Sequence, residues 1–308
     1  MKKYLIYLWG LILLFTINVK AYEKDILNLD NPIISFERLD KFGLQGFTII
    51  NNNLFMIIEG NDDTESIVKV YDLDNYKEIV SYNFGSLGHA NDVTYNSKNN
   101  TIYVIAGDGS KTIYSFRGDN YEYIGKLDIE FSIRSISYLE DLDKYAVRTI
   151  TNGFILDNEF QITNRFPFVM GLNINRDIGR QGWAYYNKRI YYANWSWTRL
   201  GGDGANIIYI YDLDGKRYEP LYTSKEIGEI EDIAFYKDKM IIGFNSYNKS
   251  IDFYMIEVPN IRILESKKDK VIEGKEKSDK KVIIILSILG IFLILIGSFI
   301  VIKKRDFM

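Results

Sequence analysis

The sequence predicts an all-β fold, a β-propeller with five four-stranded blades, followed by one C-terminal transmembrane helix. Three observations lead there. Residues 30 to 260 are a succession of short Ile, Val, Tyr and Phe runs cut by Asn, Asp and Gly, which is how strands joined by tight turns read. One unit of that text recurs every 43 to 50 residues, the period of a propeller blade. Finally, residues 282–302 form an uncharged stretch about as long as a bilayer's hydrocarbon core requires of a helix.

The chain begins with Lys2 and Lys3, runs apolar from Leu5 to Val19 and reaches a small residue at Ala21, the layout of a secretory signal cleaved after residue 21. That leaves an extracytoplasmic body over 22–264, a charged linker over 265–281, the transmembrane helix over 282–302 and a cytoplasmic tail over 303–308. The linker is polar, mixed in charge and free of Pro, hence solvated. Lys303, Lys304 and Arg305 read as a stop-transfer cluster. Both ends therefore predict a cell-membrane protein, single-pass, with its N-terminal body outside. Removing residues 1–21 leaves 35 basic against 41 acidic residues, a net charge near −6 that disfavours a nucleic-acid partner. With no Cys, neither disulfides nor a lipidated cysteine can brace or tether the body.

Within the body, units starting at Leu44, His89, Ile133, Arg180 and Ile230 share a polar pair, a hydrophobic strand, a short polar turn and a second strand. They align on Gly46, Asp92, Ser135, Gly182 and Asp232, with spacings of 46, 43, 47 and 50. A third strand, hairpin and fourth strand follow, most plainly at the two Tyr-Asp-Leu-Asp turns, Tyr71 to Asp74 and Tyr211 to Asp214. In both turns the Asp pairs sit where a hairpin must reverse, so backbone geometry explains them better than metal binding does. The fifth unit lacks a strand, and the segment from Pro32 to Leu39 belongs to no unit. Its addition to the last blade would close the ring and hide a sheet edge. Six blades is the competing count.

The runs from Thr101 to Phe116 and from Arg189 to Asn194, with the two Tyr-Asp-Leu-Asp turns, resemble the broad bacterial group of YVTN, NHL and lactonase-like repeat propellers. The resemblance spans residues 32 to 259 and consists of architectural motifs. It implies a fold, and a habit of binding ligands at the mouth of the central channel.

In a propeller the first strand of each blade lines that channel, so the residues at its start crowd one mouth. The predicted ligand-binding ring is Gln45, His89, Asn91, Asp92, Arg134, Gln181, Glu231 and Asp232. Among them Asp92, Glu231 and Asp232 are hard oxygen ligands that would suit Ca²⁺, the one candidate cofactor. The bland alternative is that these side chains hydrogen-bond the exposed ends of inner strands. His89 is the only histidine, and no nucleophile accompanies it, so contact with a ligand or fixing of a loop is the stronger expectation for it than catalysis. Trp183, Trp195 and Trp197 form a candidate aromatic platform of the kind that sugars or peptides stack on. These features predict a membrane-anchored binding module for a protein or carbohydrate ligand. The alternative is a lactonase-like or glycosidase-like hydrolase using acidic residues at the channel mouth.

Overall fold

In the computed structural model the described residues are 27–39, 42–60, 65–85, 87–106, 110–150, 152–166, 178–196, 206–224 and 226–264. The chain divides into two units, Met1–Arg262 and Ile263–Met308. The predicted signal, linker, transmembrane helix and tail lie outside the described residues. Among the described residues no helix is long and apolar enough to cross a membrane.

The first unit is an all-β propeller of five sheets with four strands each. A lone strand β1 (Ile34–Glu37) leads. Blade one is β2 (Phe42–Ile50), β3 (Asn53–Gly60), β4 (Ser66–Asp72) and β5 (Lys77–Gly85). Blade two is β6 (Asp92–Asn96), β7 (Thr101–Ile105), β8 (Thr112–Arg117) and β9 (Tyr123–Asp128). Blade three is β10 (Ser135–Leu139), β11 (Lys144–Arg148), β12 (Gly153–Leu156) and β13 (Ile162–Phe166). Blade four is β14 (Ile178–Tyr186), β15 (Arg189–Ser196), β16 (Asn206–Asp212) and β17 (Leu221–Thr223). Blade five is β18 (Gly228–Tyr236), β19 (Lys239–Ser246) and β20 (Ser250–Glu257), and β1 pairs antiparallel with β20, Phe36 opposite Ile251. Blades one to four are antiparallel meanders, and blade five is an antiparallel sheet in the order β1-β20-β19-β18, its outer strand supplied by the N-terminal segment.

Alternation along the strands explains why the blades stack. The middle strands are apolar on both faces, so each sheet buries two surfaces against its neighbours. Five clusters fill the five seams. Leu44, Phe47 and Phe253 lie between blades five and one; Phe55, Val93 and Phe116 between one and two. Ile136 and Tyr145 fill the next seam, Trp183 and Tyr192 the one after, and Tyr191 and Phe244 the last. The outer strands β5 and β9 are largely exposed, as the rim of such a ring must be. At the Tyr-Asp-Leu-Asp turns, Asp72 accepts the Asp74 amide at 2.7 Å and Asp212 accepts the Lys216 amide at 2.8 Å. Both are turn-stabilising carboxylates.

The inner strands contact one another in ring order, β2, β6, β10, β14, β18 and back to β2. Their inward edges have no fifth strand to bond, so their amides need partners from within the channel. That requirement builds the site.

Candidate functional site

The five repeat-aligned positions, Gly46, Asp92, Ser135, Gly182 and Asp232, are each followed by a residue whose amide points inward. All five amides end on two carboxylates. Asp92 accepts from Val93 at 2.8 Å, Ile136 at 2.9 Å and Trp183 at 3.4 Å. Asp232 accepts from Ile233 at 2.7 Å and Phe47 at 2.9 Å. Every blade thus donates once to a carboxylate pair on the channel axis. Both side chains have zero exposure, and the two carboxyls are hydrogen-bonded to each other.

Burial pushes Asp92 up to about 8, against the amides and the buried Arg148 that pull it down. Burial, and then the charge of Asp92, raises Asp232 well above the ordinary carboxylate range. Asp92 receives three amides and faces a guanidinium; Asp232 receives two amides and faces a carboxylate. Asp92 is therefore the first of the pair to give up its proton as pH rises, and Asp232 the one that holds its proton longer. Arg148 is completely buried, donates to Ser135 Oγ at 2.8 Å and lies over the Tyr192 ring at 4.9 Å.

Space explains why two of the five aligned positions are glycine beside the two acids. A Cβ at Gly182 would overlap the Asp232 carboxylate, and one at Gly46 would stand 3.0 Å from the Asp92 Cα. The narrow axis has room for two acidic side chains out of five. Gly182→Ala is expected to destabilise the protein by about 1–3 kcal/mol, because the carboxylate it meets is pinned by amides and cannot swing away. Chemical denaturation of wild type and variant measures this, and an unchanged midpoint would contradict the crowding.

Above this pair lies the mouth at which the inner strands begin, a cavity of about 300 Å³. Three inner strands carry a β-bulge there: at Gln45 in β2, next to Gln181 in β14 and at Glu231 in β18. A bulge re-aims the side chain it carries. These three residues line the cavity with His89, Arg38, Glu229, Asn245 and Lys249. Gln181 Nε2 donates to Glu229 at 2.8 Å, and Asn245 Nδ2 donates to Glu231 while Asn245 Oδ1 accepts the Leu44 amide at 2.8 Å. Burial lifts Glu229 to about 7, and burial followed by the nearby Glu229 charge lifts Glu231 well above its usual value.

Four members of the predicted ring, Gln45, His89, Gln181 and Glu231, therefore meet around one cavity. Asp92 and Asp232 do not reach it, because they sit deeper and bond the inner-strand amides. Asn91 and Arg134 are half-buried and are not among its lining residues. The expected Ca²⁺ shell of Asp92, Glu231 and Asp232 is corrected on the same ground. Among the described residues no group of three acidic, His or Cys side chains converges on a metal-sized point. The oxygens of Asp92 and Asp232 already face N–H dipoles whose positive ends would repel a cation. The aromatic platform is corrected too. Trp183 is 1% exposed and packs on Phe166 and Tyr192, with ring centroids 6.0 and 6.3 Å away. Trp195 lies against the apolar seam between blades four and five, and Trp197 falls outside the described residues. Sequence reasoning missed Arg38, Glu229, Asn245, Lys249 and Arg148. Of these, Glu229 alone had a signal: it stands two residues before Glu231, on the same side of a strand.

No family model matches the chain, and no curated protein does. Among solved structures, a Bacteroides caccae protein of unknown function is 17% identical over 64% of this chain and 73% of its own, with a TM-score of 0.43. A Bacteroides thetaiotaomicron protein of unknown function is 13% identical over 71% and 73%, also at 0.43. The WD40 repeats of RRP9 are 8% identical over 77% and 85%, again at 0.43. Likeness at this level carries neither activity nor ligand. The chain is a repeat β-propeller, as its strand pairing states directly, and its resemblance to the bacterial propellers is one of fold.

Proposed function

We propose that the chain is a membrane-anchored, extracytoplasmic propeller that binds a small polar ligand at the upper mouth. The observation that carries this is the cavity of about 300 Å³ where three bulges, β1's neighbour Arg38 and the loop bearing His89 converge polar side chains from separate blades. Convergent polar groups in a concavity are what a small-ligand site requires. The apolar segments 5–19 and 282–302 support the anchoring and the outward orientation.

The test is a thermal-shift screen of the full chain in lipid nanodiscs against amino acids, short peptides and small organic acids and bases. A ligand acting here loses its shift in both Gln181→Leu and Glu231→Gln. Shifts that survive both variants would move the binding elsewhere. Accessible protease digestion of the body in intact cells checks the orientation.

One observation favours a hydrolase as the second reading. Glu229, Glu231 and His89 share the cavity, and burial raises both glutamates above the ordinary carboxylate range, as a general acid requires. Turnover of nitrophenyl glycosides or lactones that disappears in Glu231→Gln would establish it over the binding role.

A further inference from the structure

Beyond the carboxylate pair the channel opens at its other end, where the inner strands run into their turns. The cavity there is about 570 Å³, within the span of about 300–1,000 Å³ typical of small-molecule sites. It is built by the repeat. Two residues past each aligned position lies a small side chain, giving a floor of Thr48, Thr94, Ser137, Ala184 and Ala234. One residue further comes the rim, Ile49, Tyr95, Tyr138, Tyr185 and Phe235, four of five aromatic.

The floor offers hydrogen-bond donors without charge. Thr94 Oγ1 accepts the Tyr138 amide at 2.8 Å and Ser137 Oγ accepts the Tyr185 amide at 2.9 Å. A hydroxyl that has accepted keeps its own proton to donate. The rim is held in place before any ligand arrives. Tyr95 donates to Asn100 at 2.9 Å, Tyr138 to Asp143 at 2.7 Å and Tyr185 to Asp141 at 2.8 Å, while Phe235 stacks on Tyr186 at 4.2 Å. Ordering these rings therefore adds little to the cost of binding. The floor itself carries no charge, while the charged lining residues Glu140, Asp141 and Lys188 lie in the turns beyond it, Asp141 already accepting the Tyr185 hydroxyl; a wholly apolar ligand would leave the floor hydroxyls unmatched. What suits both layers is a molecule with apolar C–H faces and uncharged hydroxyls.

We propose that this lower mouth binds a neutral saccharide, its C–H faces against the tyrosine rim and its hydroxyls on the Thr and Ser floor. The test uses the full chain in nanodiscs prepared without glycosidic detergent, titrated calorimetrically with maltose, cellobiose, lactose and diacetylchitobiose, and with glucuronate as the charged control. At least one neutral disaccharide is expected to bind, and Tyr185→Leu to weaken it roughly tenfold or more. Thr48→Val, which exchanges one floor hydroxyl for a methyl of the same shape, is expected to weaken it as well, and it decides the matter if Tyr185→Leu fails to fold. Glu231→Gln at the upper mouth is expected to leave sugar binding unchanged. Failure of all four disaccharides to bind, tighter binding of glucuronate, affinity untouched by the lower-mouth variants, or loss in Glu231→Gln would each overturn the proposal. The last outcome would place the sugar at the upper mouth and leave the polar-ligand reading standing.

Discussion

Asp92→Ala is expected to lower stability by roughly 3–6 kcal/mol, more than any other single substitution in the channel. The side chain accepts amides from blades two, three and four, and each buried donor left without an acceptor costs about 1–3 kcal/mol. At about 2–4 °C per kcal/mol for a domain of this size, the melting temperature should drop by roughly 10 °C or more. Two amide variants separate the roles of the pair. Asp92→Asn places two N–H donors among five inward-facing N–H groups and is expected to be nearly as damaging. Asp232→Asn can donate to Asp92 as the protonated Asp232 does, and it should be the milder change. Scanning calorimetry of the three variants decides the assignment. A loss below about 1 kcal/mol in Asp92→Ala would mean that the amides find other acceptors and that the pair does not hold the ring together.

The architecture was legible in the sequence because a repeat states each strand five times. Any one of the runs beginning near Phe47, Val93, Ile136, Trp183 or Ile233 is ambiguous, but their common spacing and the polar pair before each are not. The axial pair was half legible. Alignment put Asp92 and Asp232 in one column with Gly46, Ser135 and Gly182, yet the column gives no depth. Depth decides the chemistry here: one turn higher the same acids would face solvent and suit a cation, whereas at their actual depth they face amides. The upper mouth was read better where a bulge advertises itself as a polar pair, Gln45 with Gly46, Gln181 with Gly182 and Glu231 with Asp232. Arg38 and Asn245 come from a strand flank and from the second strand of blade five, which no column of the first strands includes. Trp183 misled because density of aromatic residues along blade four says nothing about which side of the strand faces the next blade. Its exposure of 1% follows from sharing a seam with Phe166.

A second large effect concerns pH: stability is expected to fall as pH rises from about 4.5 to 8, the reverse of a protein held by surface carboxylates. The two acid pairs, Asp92 with Asp232 and Glu229 with Glu231, have ordinary values of 3.8 and 4.5 in the unfolded chain. In the fold Asp92 lies near 8 and Glu229 near 7, with Asp232 and Glu231 well above their unfolded values, burial being the largest cause throughout. Below about pH 4 both states hold these protons and the groups are neutral in their effect. Between the unfolded and folded values the unfolded chain has released protons that the folded chain keeps, so unfolding releases protons and rising pH favours it. Each proton so held costs about 1.4 kcal/mol of stability per pH unit across that window. Arg148 beside Asp92 and Arg38 near the glutamates oppose the effect, since both pull the acids down, but burial outweighs them. At the surface, Asp143 is lowered by the Tyr138 hydroxyl and acts in the other direction, screened by solvent. Equilibrium unfolding at half-unit steps from pH 4.5 to 8 measures the slope. The double variant Asp232→Asn, Glu231→Gln removes one titrating acid from each pair and should make the profile shallower, so that it loses less stability between pH 5 and pH 8 than the wild type does. A wild-type profile that is level or rising over this window, or a slope untouched by the double variant, would show that the channel acids are ionised in the fold and that the shared-proton arrangement is wrong.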